Sequence, residues 1–188
     1  MALNTEKDIV LIIQQDRWMM ELLKAAKSLN LPDWWICAGF IRSKIWDVLH
    51  DFEERTSSPD IDLIYFDPIN IDKKVEGKHE EVLYEILPSI PWSVKNQARM
   101  HIVNNIPPYS SATDAISKFP ETATALGVML DKEDNVILTA PHGIWDVVNM
   151  KVTPTPFFCE SKERLLIYEK RMRNKNWKSI WPNVKYER

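Results

Sequence analysis

Glycine and cysteine are scarce in this chain of 188 residues, with four Gly and two Cys. Cys37 and Cys159 lie far apart, with no Cys-x-x-Cys pair and no histidine at ligand spacing, which excludes a disulfide scaffold and a thiolate metal site. Neither thiol reads as catalytic, and Cys37, after three apolar residues, reads as a small buried core residue. Long apolar runs are missing too. The apolar segment 9–13 is cut by Gln14, Gln15, Asp16 and Arg17, too short for a membrane span or a signal peptide. A soluble, cytoplasmic protein with no membrane partner is expected. No basic excess exists either: 24 Lys plus Arg meet 27 Asp plus Glu, for a formal charge of -3. That balance lacks the electrostatic footprint of a protein that grips a long nucleic acid.

What is present is enough for a core. Hydrophobic residues make up 45% of the chain, and a chain of this length buries roughly 70% of the surface its unfolded form exposes. Without repeats, low-complexity tracts or linkers, the sequence reads as one α+β domain over 1–188. Its expected parts are an N-terminal helix (1–31), a core (34–140), and C-terminal helices with a tail (141–188).

Apolar residues at Ile9, Ile12, Met19, Leu22, Leu23, Ala26 and Leu29 predict one long helix over 6–31, stopped by Pro32 and Asp33. The short aromatic run 34–38 predicts a buried strand entering Gly39, and helical spacing resumes over 40–50. A second strand is expected over 60–66, a helix over 76–87, and a strand with one polar face over 92–103. A short helix capped by Thr113 follows over 113–119, then a hairpin of 122–130 and 136–140. Helices over 142–150 and 161–172 flank the proline-rich 153–156. Trp34, Trp35 and Trp46 sit in apolar runs and read as core, whereas Trp92, Trp177 and Trp181 read as freer. Lys175, Lys178 and Lys185 form a modest basic patch suited to a small anion.

The chemistry concentrates in Asp60-Ile61-Asp62-Leu63-Ile64-Tyr65-Phe66-Asp67. Strand alternation projects Asp60 and Asp62 from one side, roughly 6.5 to 7 Å apart along the backbone. Two carboxylates aimed at one spot in an apolar strand call for a hard divalent cation such as Mg²⁺. Asp67, beside Pro68, reads as a turn residue. Upstream, Gly39 falls where a strand meets a helix, leaving first-turn amides for anionic oxygens, and Arg42 and Ser43 add a charge and a hydroxyl. Asn96, Gln97, Arg99 and His101 interleave polar groups where a plain core strand would carry Val or Ile. If one of their faces lines the cleft it orients a substrate; otherwise they belong to an edge strand facing water.

Strand, glycine, helix, then a strand with Asp-x-Asp resembles the nucleotidyltransferase domain of the DNA polymerase β superfamily. More narrowly, Ala38-Gly39-Phe40-Ile41-Arg42 with Trp46, Asp60-Ile61-Asp62 through Asp67, and Trp92 through Asn96-Gln97-Ala98-Arg99-Met100-His101 resemble a bacterial nucleotidyltransferase-like family of about this length. Phe119-Pro120-Glu121-Thr122-Ala123-Thr124, Gly143-Ile144-Trp145-Asp146 and the segment 177–182 fit the same family. The resemblance implies a mixed or antiparallel sheet with flanking helices. It also implies transfer of a nucleoside monophosphate from a nucleoside triphosphate to a small-molecule or protein acceptor, with Mg²⁺ or Mn²⁺ on Asp60 and Asp62 and phosphates at Gly39. The superfamily places a third carboxylate on a later strand. The run 92–103 has none, Asn96 aligns nearest the vacancy, and the remaining acids, Glu121 and Asp146, read either as a cap or surface group or as the third acid reaching the site from another element. A nucleotide- or partner-binding module without turnover is the alternative. A glycosyltransferase using Asp-x-Asp leaves the glycine-helix unit unexplained.

Overall fold

A computed structural model describes residues 3–187. Two helices, not one, open it. The carboxylate of Asp16 accepts from the Met19 amide and caps α2 (Arg17–Ser28), so the chain turns between it and α1 (Glu6–Gln14), itself started by a reciprocal capping box of Thr5 and Asp8. The apolar period runs on through this break because both helices face the same core, so spacing alone does not reveal it.

Strand β1 (Trp35–Cys37) leads directly into α3 (Gly39–Leu49), followed by β2 (Ile61–Tyr65), α4 (Lys73–Ile86) and β3 (Trp92–Asn96). The expected strand over 92–103 stops at Asn96. Its side chain accepts from the Ala98 amide and caps α5 (Gln97–Asn104), turning the rest of that run into helix. Next come α6 (Ala112–Ser117), capped by Ser111 rather than Thr113, and a single 3-10 turn over Thr122–Thr124. The hairpin is shorter than expected, with β4 (Gly127–Leu130) and β5 (Val136–Thr139).

The sheet runs β3-β2-β1-β4-β5. All its pairings are antiparallel except β2 with β3, whose parallel register needs the crossover through α4. Alternation divides the sheet into two faces. Ile36, Ile61, Leu63, Tyr65, Trp92 and Val94 join the larger core with the N-terminal helices and α3. Trp35, Cys37 and Ile64 form a smaller core with Ala112 and Ile116. This second cover is incomplete, and the uncovered part of the face carries Asp62, Ser93 and Lys95.

After the hairpin, Gly143 takes a positive φ of 71°, which shortens the expected 142–150 helix to α7 (Trp145–Val148). Strand β6 (Lys151–Val152), α8 (Pro156–Cys159), α9 (Lys162–Asn174), α10 (Trp177–Ile180) and β7 (Lys185–Tyr186) complete the chain, β6 pairing with β7. Trp92, Trp177 and Trp181 are all buried, contrary to expectation. Trp177 and Trp181 stand edge-on to Trp46 at 5.6 and 5.2 Å, and Trp181 Nε1 donates to Asp47 at 2.8 Å. These residues near the C-terminus belong to the core of α3; polar neighbours such as Lys178 and Asn183 hide this in the sequence. Among the described residues no helix is long and apolar enough to cross a membrane.

Candidate active site

Asp62 lies within β2 and Asp60 just before it. Burial, and then the charge of Asp60, push the Asp62 carboxyl up to about 6. A half-buried carboxylate beside a second one is electrostatically unsatisfied, and a cation relieves both costs at once. The donor set suits a hard ion. It offers two carboxylates, and no group of three His, Cys, Asp or Glu able to hold a metal occurs among the described residues. That leaves most of the coordination shell to water or phosphate, as Mg²⁺ favours.

The Gly39 turn adjoins this pair. Ser58 Oγ donates to the Asp60 carbonyl at 2.9 Å, and the same oxygen lies 3.5 Å from where a Cβ on Gly39 would stand. No side chain caps α3, so its first amides have no capping partner. Ala38, the residue before Gly39, has φ 56° and ψ -116°, a conformation costly for any residue with a Cβ. Strain is thus concentrated at the junction between β1 and α3, where Ala38 shares a cavity lining with Asp62.

Arg42 does not project from the first turn. Its guanidinium sits in a cage of Trp46, Trp177 and Trp181, at 4.9, 4.5 and 4.8 Å from the ring centres. Nε and Nη1 are buried without a hydrogen-bond partner, while Nη2 lies 3.5 Å from the Gly39 Cβ position. Burial pulls its pKa down to about 10, and Glu121 and Asp47 partly offset that. Arg42 therefore lies beneath the Gly39 turn as a buried, incompletely satisfied cation. Ser43 beside it is also buried.

Beyond Asp62 a cavity of about 470 Å³ opens across the second face of the sheet. Ala38, Asp62 and Ile64 line its floor, Lys95 and Gln97 one side, and Arg164 and Arg171 of α9 the other. Arg171 acts on Asp62 through its charge and donates Nε to Glu121, which has no exposed surface. Lys175, one turn on, feels both Arg171 and Asp60. Arg171 belongs to none of the sequence motifs described above. Its signal is a spacing: Arg164 and Arg171 lie seven residues apart on one face of α9, a helix whose apolar pattern is weak, and Lys175 follows at its C-cap.

The polar run of 96–101 divides by helical rather than strand spacing. Gln97, Met100 and Asn104 line the cavity. Arg99 instead makes a charge-paired fork with the buried Glu76, at 2.9 to 3.0 Å. His101 is half-buried, with Nδ1 unpartnered. Asn96 occupies the opposite face of the sheet, where its amide donates to the carbonyls of Asp67 and Asn70 at 2.8 and 2.9 Å. It closes the turn after β2 and does not stand beside Asp62. Asp67, as expected, is a turn residue that accepts from the Ile69 amide. Among the later acids, Glu121 is held by Arg171 and Thr124, and Asp146 binds the hydroxyls of Thr122 and Thr153, each at 2.6 Å.

The chain has known relatives in family and fold. A family model described as Nucleotidyltransferase matches residues 24–186. The chain belongs to the nucleotidyltransferase family. An NMR structure described as a CCA-adding enzyme head domain superposes with a TM-score of 0.88 at 34% identity, covering 98% of this chain and 97% of that one. A CCA-adding enzyme in complex with CTP gives 0.56 at 13% identity, over 98% of this chain and 44% of that one. The Thermotoga maritima CCA-adding enzyme with tRNA gives 0.53 at 14%, over 98% and 43%. This nucleotidyltransferase thus spans less than half the length of those two enzymes, and its likeness to them is one of fold. No curated protein matches the sequence. The α+β class with a mixed sheet, and a nucleotidyltransferase fold, are as the sequence implied.

Proposed function

We propose that the chain transfers a nucleoside monophosphate from a nucleoside triphosphate to a hydroxyl of a small-molecule or protein acceptor, using Mg²⁺ or Mn²⁺ held by Asp60 and Asp62. The observation that carries this reading is the proximity of the uncapped start of α3 to the strand that bears the two aspartates: Ser58 Oγ, which donates to the Asp60 backbone carbonyl, lies beside Gly39. A triphosphate laid along that junction meets free amides and the positive end of a helix at one end. At the other it meets two carboxylates whose cation would neutralise its charge. Related structures are described as complexes with CTP and with ATP, which supports a triphosphate ligand.

The bound ion would supply charge neutralisation and alignment of the phosphate oxygens. The remaining work falls to this chain. Arg42 adds positive potential behind the Gly39 turn, and Arg171, fixed by Glu121, faces the reacting region from α9. In the transfer, the acceptor oxygen bonds to the α-phosphorus as the bond from that phosphorus to the bridging oxygen breaks. The hydroxyl proton passes to water, and pyrophosphate leaves with the electron pair. Two free thiols, Cys37 and Cys159, support a reducing, cytoplasmic setting.

The test is calorimetric titration of ATP with Mg²⁺ against the Asp60→Asn, Asp62→Asn double variant. Metal-dependent binding should vanish while the thermal midpoint holds or rises; unchanged binding would refute the reading. A catalytically silent nucleotide-binding module is the second reading, favoured by one observation: the β3 positions that share the face of Asp62 are Ser93 and Lys95, neither an acid. Triphosphate binding without pyrophosphate release, across a panel of acceptors, would select it.

A further inference from the structure

We infer that the cavity beyond Asp62 is the acceptor subsite, and that it takes a small hydroxyl compound carrying both a ring and a phosphate or carboxylate. This inference rests on the transferase reading above. Its first support is direction. In-line displacement at phosphorus puts the incoming oxygen and the leaving pyrophosphate on opposite sides. Strand β1 runs antiparallel to β2, with Trp35 opposite Ile64 and Ile36 opposite Leu63, so its far end and Gly39 lie at the Asp60 end of β2. A triphosphate tail at Gly39 therefore leaves the incoming side toward Ile64 and Lys95, which is where the cavity opens.

Size and chemistry then narrow the occupant. About 470 Å³ is the scale of a small-molecule pocket, with room for one ring-bearing compound. The walls present cations already mounted on rings. Lys118 Nζ lies 5.2 Å from the ring centre of the buried Tyr109, and the Arg164 guanidinium lies 3.7 Å over Phe157. Each cation is braced by one acid, Asp114 at 2.6 Å and Glu160 at 2.8 Å. Lysine has three donors and arginine five, so both retain donors for an anion. A ring would rest among Tyr109, Phe157 and Phe158 with its anion between Lys118 and Arg164 and its hydroxyl directed to Asp62. A protein side chain such as tyrosine offers ring and hydroxyl but no anion, so the lining favours a free small molecule over a protein.

The test titrates the full chain, with Mg²⁺ present, with a non-hydrolysable ATP analogue and with phenyl phosphate as a probe of the cavity. Phenyl phosphate should bind in the presence of saturating analogue. Benzyl alcohol and inorganic phosphate, each lacking one half of the recognised chemistry, should bind at least tenfold more weakly. Lys118→Gln and Arg164→Gln should each weaken phenyl phosphate at least fivefold without moving the affinity for the analogue, and Lys118→Arg should restore most of it. Competition between analogue and phenyl phosphate would overturn the inference, because the cavity would then hold the nucleotide's own base or sugar. Equal binding of benzyl alcohol, or displacement of the probe by a short RNA with a free 3′ hydroxyl, would overturn it as well. Phenyl phosphate binding with no analogue binding would remove the transferase reading and the acceptor role together, whereas analogue binding alone would remove only the acceptor subsite.

Discussion

Asp62 on β2 and Lys95 on β3 project from the same face of neighbouring parallel strands, with Ser93 directly opposite the aspartate. A new carboxylate at Ser93 would therefore point where Asp62 points. Ser93→Asp is expected to tighten Mn²⁺ binding about tenfold or more, read by calorimetry. Asn96→Asp should not tighten it, and it should destabilise the fold by about 2 to 4 kcal/mol by placing a carboxylate against two carbonyls that now receive amide donors.

The raised pKa of Asp62, about 6 against an ordinary 3.8, fixes a sign for the pH dependence. Between about pH 4 and 6 the folded chain holds a proton that the unfolded chain has lost, so metal-free stability falls as pH rises through that window. Asp62→Asn should flatten this slope and raise the metal-free midpoint at pH 7.5 by a few degrees. Mg²⁺ should stabilise the wild type at pH 7.5 and do little at pH 4.5. Thermal scans at the two pH values check both statements.

Glu121 and Asp146 have separable effects. Glu121→Gln removes the partner of Arg171 in a fully buried position and should cost about 1 to 3 kcal/mol. It should also weaken ATP binding severalfold, because Arg171 loses its anchor. Asp146→Asn should lower stability through the two threonine hydroxyls while leaving Mg²⁺ affinity unchanged. Loss of Mg²⁺ binding in Asp146→Asn would place that acid in the metal site instead.

Ala38 supplies a test of stored strain. Ala38→Gly should raise stability by about 1 kcal/mol, since glycine takes a positive φ without penalty. Ala38→Val should destabilise by more than that and weaken triphosphate binding, measured by denaturant midpoint and calorimetry.

Much of this was legible in the sequence because local rules and the fold agree. A five-residue apolar run, led by two tryptophans, into a glycine, and two aspartates spaced by one apolar residue, each carry a period and a chemistry in a few positions. The boundary at Asn96 was not legible: the residues after it are as compatible with strand as with helix, and only an amide capping Ala98 decides between them. Arg171 escaped for a different reason. Its meaning depends on Glu121 and Asp62, which are distant in sequence, and no local pattern records that meeting. Arg42 was placed on the right turn but with the wrong surroundings, since tryptophans amid the polar 175–183 stretch gave no sign that they close around it.

The bond from Trp181 to Asp47 joins residues 134 positions apart. Such long-range closure slows folding, and it fixes an order of events on the ribosome. The nascent chain exposes Gly39, Asp60 and Asp62 long before Trp177 and Trp181 emerge, so Arg42 stays hydrated and α3 keeps one open flank until synthesis has passed those tryptophans. On the proposed function, nucleotide affinity would be acquired late and together with the final packing, and a translation product stopped ahead of Trp177 is expected to carry both aspartates yet bind triphosphate weakly.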